Sequence, residues 1–248
     1  LYILQSRNIT GKEQVDSALI LSHRNKKSRN ILAIYQVYAL PINLQQHMLR
    51  VAAVALWILE RWKGEKLNRR DIVETLLLHD IGNLVKVTED KFESLFPDTY
   101  QMESFQYWKN IRDSIIRRYG RTDTEATANI IKEIGVRDVI VDMIEKKQFI
   151  NNINTYHDDN YAIKICAYAD QRVSPNGVLS LENRLNEAIV RYRGVKNASV
   201  NSINREELIE YAKKIEMQIF EYVDGKPEDI TDVAIKEYIE ELKNFQFS

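Results

Sequence analysis

Apolar residues recur at intervals of three and four along nearly the whole chain, and no segment alternates apolar and polar positions with a period of two. The pattern predicts short helices over 11–22 and 29–39, separated by the polar stretch 23–28. Pro41 then breaks the chain, and Asn43 offers an N-cap for the most apolar helix, 44–62, with Gly64 as its stop. Asn68 caps a helix that ends near Gly82, and residues 84–102 read as irregular or short-helical. After a helix over 104–119, Thr122 and Glu125 have the spacing of a capping box, opening a helix that Gly135 closes. Helices are predicted over 137–147 and 160–173, with an Asn-rich polar loop between them. Ser174-Pro175-Asn176-Gly177 is the clearest turn, and three amphipathic helices follow near 180–193, 203–223 and 229–244.

Composition reinforces an all-α fold, because 8 Gly and 4 Pro in 248 residues are too few for a hairpin-rich sheet protein. A net charge of -1 provides no basis for a dedicated nucleic-acid or membrane-surface protein. The single cysteine, Cys166, excludes an internal disulfide framework and a thiolate-rich zinc module. The longest apolar run, from Val51 to Leu59, is too short to span a bilayer. The sequence begins at Leu1 without a charged-then-apolar leader, so a cytoplasmic location is expected and the glycosylation-like triplets at Asn8 and Asn197 read as chance.

The informative residues are polar ones that interrupt apolar stripes. His47 shares a helix face with Val51, Val54 and Ile58. His79 continues Ile72 and Leu76, Asp80 lies beside Val73 and Leu77, and Asp170 follows Ile163, Cys166 and Ala167. A carboxylate on a core-facing stripe is costly unless a cation meets it. Two imidazoles and two carboxylates from three apolar helices therefore point to one shared partner, and the donor set suits a divalent transition ion better than calcium. A second dipeptide, His157-Asp158, sits in a polar segment before the next helix; there the acids read as N-cap and first-turn residues.

In order, His47, then Leu77-Leu78-His79-Asp80-Ile81-Gly82, then Tyr168-Ala169-Asp170 resembles the H…HD…D signature of the HD superfamily of metal-dependent phosphohydrolases. The resemblance covers roughly residues 41–175. It implies a helical bundle with the site between its central helices, preceded by a helical extension over 1–40. Residues 176–248 would supply helices packed on the bundle or at a homodimer contact. It also implies His47, His79, Asp80 and Asp170 as ligands of one divalent metal ion, among Mn, Fe, Co, Ni, Zn and Mg. Asn83 stands where many members of the family carry a lysine. Two-metal members have additional histidines before the last aspartate; here that interval holds only His157, too close to Asp170, while Asp123 reads as a first-turn acid of the capping box.

The chemistry so implied is hydrolysis of a small phosphoester, most plausibly a nucleotide or related metabolite, by metal-activated water. Asp80 or Asp170 would accept the water's proton, and Arg50, Lys86 and Arg172 are the candidate cations for substrate phosphate. The alternatives are a non-catalytic, metal-binding regulatory HD module and an HD-type di-iron oxygenase, which the single-site ligand count disfavours. The aromatic residues Phe92, Phe96, Tyr100, Phe105, Tyr107 and Trp108 read as core filler rather than a base-stacking surface. Arg24, Lys26, Lys27 and Arg29 read as a solvated loop.

Overall fold

Side-chain caps set where several helices begin. The protein is described by a computed structural model over residues 29–88, 105–191 and 205–247. The predicted helix at 11–22, both glycosylation-like triplets, Arg24, Lys26 and Lys27, and the aromatic positions 92, 96 and 100 lie outside the described residues. Asn30 accepts from the backbone N–H groups of Leu32 and Ala33 to open α1, Ile31–Val37. The long apolar helix α2, Ile42–Glu60, starts two residues earlier than predicted, with Pro41 rather than Asn43 at its N-cap. Proline loses nothing there, because the first N–H groups of a helix have no intrahelical partner. Gly64 is not its stop: α2 ends at Glu60 with Arg61 as its C-cap, beyond which Trp62 pairs with Val223 and the Arg61 carbonyl accepts from the Asp224 N–H.

Asn68 caps α3, Arg69–Leu78, and a 3-10 turn follows over Asn83–Lys86. Helix α4 spans Phe105–Tyr119. The Thr122–Glu125 capping box opens α5, Asp123–Ile134, and Gly135 closes it in the left-handed conformation at φ 78°. Helix α6 spans Asp138–Lys146.

The Asn-rich stretch that follows is not a loop: it forms a 3-10 turn, Phe149–Asn151, and a short helix α7, Asn152–His157. Its local polarity is overridden by tertiary bonds, since Asn152 is fully buried and its amide donates to Gln171 and to the Leu208 carbonyl. Helix α8, Tyr161–Asp170, leads into a tight hairpin of β1, Val173–Ser174, and β2, Gly177–Val178. Helices α9, Leu181–Arg191, α10, Arg205–Phe220, and α11, Lys236–Leu242, complete the described chain.

The result is all-α apart from that hairpin. Helix α2 is the axis: from Val51 to Ile58 every residue is buried, which matches its apolar composition on all sides. It packs against α3, α8 and α11, and α8 in turn touches α3, α6, α7 and α10. Each large aliphatic side chain buried here contributes about 1.5–3 kcal/mol relative to exposure. The last described residues close on the first described ones, with the Ile31 N–H donating to the Phe245 carbonyl and the Phe247 N–H to that of Arg29. No helix among the described residues is long and apolar enough to cross a membrane.

Candidate metal centre

Three chain segments converge, the axis helix among them. His47 lies one turn inside α2. Helix α3 stops at Leu78, so His79 and Asp80 occupy the turn just beyond it rather than its last turn. Asp170 is the final residue of α8. The turn that carries His79 and Asp80 is tied to α5, because the Gly82 N–H donates to Thr127 Oγ1 at 3.1 Å. A Cβ at residue 82 would lie 2.4 Å from the Thr127 nitrogen and 2.8 Å from the Asp123 carbonyl oxygen, so only glycine permits this approach.

The four side chains meet. His47 Nε2 lies 3.4 Å and His79 Nε2 3.3 Å from Asp170 Oδ1, and each lies 3.7 Å from Asp80 Oδ2. The imidazole rings stand edge to face, 5.4 Å apart. His47, His79 and Asp170 have ligand atoms all within 4.8 Å of one another, a group that could hold a metal ion. Atoms bound at about 2.1 Å to one ion are themselves separated by about 3.0–3.4 Å, the spacing both histidines keep to Asp170.

The donor chemistry fits an ion as well as the spacing does. The His79 side chain is fully buried, and its Nδ1 engages the Leu76 carbonyl oxygen at 2.7 Å. That bond requires the proton on Nδ1 and leaves Nε2 as a lone-pair donor. Nε2 is buried and makes no hydrogen bond. A buried polar atom without a partner is costly, and a cation at this point satisfies it.

Asp170 is held as an anion. Burial pushes its carboxyl pKa up, but the Lys147 ammonium beside it outweighs burial and keeps it well below the ordinary carboxylate range. Lys147 is the residue the sequence reading missed: its side chain is 5% exposed and its Nζ donates to Asp170 Oδ2 at 2.6 Å. The signal was present, since Lys147 continues the buried stripe of Ile140, Met143 and Ile144 along α6.

The candidate phosphate cations fall in three different situations. Arg50 lies one turn beyond His47 and meets Asp232 loosely, at 3.8 Å. Lys86 is paired with Asp123 at 2.5 Å, which gives that first-turn acid a partner. Arg172 is turned into the core instead: it is 1% exposed and donates to the Tyr168 hydroxyl and to the carbonyls of Leu179, Pro227 and Ile230. A guanidinium buried in this way, with four of its five N–H donors engaged, does not face a substrate phosphate, which corrects its candidacy.

The second His-Asp pair stands apart. His157 is exposed at the end of α7, its ring against Tyr156 and Tyr211. Asp158 accepts from the Asn160 N–H, and Asn160 rather than an acid caps α8.

Residues 44–183 match the family described as HD domain, a stretch that covers more than half of the chain and includes all four converging side chains. Comparison with curated proteins and with solved structures finds no match. Sequence match and convergent geometry agree: this chain belongs to the HD domain family, whose members are generally metal-dependent hydrolases.

Proposed function

We propose that the protein is a metal-dependent phosphohydrolase acting on a small phosphoester, with a nucleotide or related metabolite as the best substrate class. The observation that carries this reading is the buried, partnerless Nε2 of His79, aimed at the same point as His47 and Asp170. His47, His79, Asp80 and Asp170 hold one divalent ion, of the set Mn, Fe, Co, Ni, Zn and Mg. Bound there, the ion supplies a Lewis acid for a phosphoryl oxygen and a water of lowered pKa.

The chain's own groups do the rest. Both oxygens of Asp170 are engaged, Oδ1 by the imidazoles and Oδ2 by Lys147, whereas Asp80 turns only Oδ2 to the imidazoles and is 26% exposed. Asp80 is therefore the better placed carboxylate to take the proton of the attacking water. Arg50, released from its loose contact with Asp232, orients the substrate phosphate and balances its charge. Lys86 adds positive charge while paired with Asp123.

The test is phosphate release from a panel of nucleotides and small phosphoesters, with each candidate metal and with EDTA. The parent protein should turn over at least one of them and stop on chelation. Asp170→Asn keeps the shape but removes the ligand charge, and it should lose about a hundredfold in turnover, roughly 2.7 kcal/mol of barrier. Silence across the panel with one ion bound per chain would overturn the hydrolase in favour of a regulatory metal-binding module.

A further inference from the structure

The two oxygens of Asp170 face different cation sites. Oδ1 is the one both imidazoles approach, at 3.3 and 3.4 Å. Oδ2 is the one that accepts from the ammonium of Lys147, at 2.6 Å. Lys147 is itself well fixed: it caps α6, its backbone N–H bonds to the Met143 carbonyl, and it is buried. A carboxylate with both oxygens free can chelate an ion through two atoms or bind through one. What decides is whether something else holds the second oxygen, because a buried, charge-assisted hydrogen bond is not surrendered cheaply.

We propose that Lys147 restricts Asp170 to a single metal-directed oxygen and so keeps one more coordination position open for water or a substrate oxygen. Lys147 is then a positioning residue, acting through Asp170 without touching substrate. The inference rests on the metal-centre reading above and adds to it the residue that sets the ion's coordination number. Without the ammonium, Oδ2 would be a buried anionic oxygen lacking a partner, and the ion is the nearest charge that could take it. The second contact would fill the position that the parent leaves open.

Cobalt(II) loading reads coordination number without any turnover. The visible absorption of cobalt is most intense with four ligands and weakens as ligands are added. Lys147→Met keeps the length and apolar packing of the side chain but removes the donor. The cobalt-loaded variant should show visible bands altered in position and intensity relative to the cobalt-loaded parent, because a carboxylate oxygen takes the position that water holds in the parent. A lysine with only a structural role would lower the melting temperature and leave the spectrum unchanged; that result would overturn the inference while the metal centre stands. If the variant does not fold, a crystal structure of the cobalt-loaded parent decides. One Asp170 oxygen on the metal and the other on Lys147 supports the inference, and both oxygens on the metal overturns it. A parent that binds no cobalt would remove the metal centre itself, and this inference with it.

Discussion

The His79 imidazole reaches back 2.7 Å to the carbonyl oxygen of Leu76, in the last turn of the helix it follows. This one contact sets the tautomer of the ring and aims its other nitrogen at Asp170. A helix end thus satisfies one of its orphan carbonyls and orients a candidate ligand with the same bond. It is also why His79, and not the exposed His157, belongs to the centre.

Exchange of the two histidines tests that distinction. His79→Ala removes a lone-pair donor from a buried cluster, and metal content per chain, measured on protein purified without chelator, should fall to background. His157→Ala removes an exposed ring from Tyr156 and Tyr211, and metal content should stay at the parent level. Equal losses would mean that position in the fold does not separate the two dipeptides.

Gly82→Ala should perturb the site without altering any ligand. Its Cβ would press on the Thr127 backbone and the Asp123 carbonyl, so the turn bearing His79 and Asp80 must move away from α5. Overpacking of this kind costs about 1–3 kcal/mol. The variant should unfold at lower temperature than the parent and also bind the ion more weakly. A loss of stability with unchanged metal affinity would show that the turn tolerates displacement.

Glu216 offers a pH signature away from the centre. Its carboxylate accepts from the Tyr168 hydroxyl at 2.7 Å, and burial raises its pKa above the ordinary value despite that bond and the nearby Arg172. A raised folded-state pKa means the native protein binds the proton more tightly than the unfolded chain does. The associated stability is present below the unfolded pKa and is lost as pH rises through the folded one. Glu216→Gln cannot titrate, so its melting temperature relative to the parent should rise as pH increases upward from the ordinary glutamate range. A difference that stays flat with pH would remove Glu216 as the titrating group.

Much of this protein is written locally. The apolar stripes and the caps at Asn68 and Thr122 depend on neighbours three or four residues away, so they identify the helices without knowledge of the fold. His47, His79, Asp80 and Asp170 were legible for the same reason, as polar exceptions on otherwise apolar faces. The polar segment at 149–157 was not, because its helix depends on bonds from Asn152 to Gln171 and to the distant Leu208.

Long cationic side chains mark the boundary most clearly. The stripe of Ile140, Met143 and Ile144 places Lys147 toward the core but does not say what its ammonium meets, and Arg172 reads in sequence as a candidate phosphate cation two residues past Asp170. Only the packing of α6 beside α8 puts the Lys147 ammonium on Asp170, and only the return of the 227–230 segment draws Arg172 into the core. Periodicity says which way a Cβ points, but the charged end of a lysine or arginine lies several bonds further out. Where that end settles depends on which carboxylates and carbonyls the rest of the chain brings within reach.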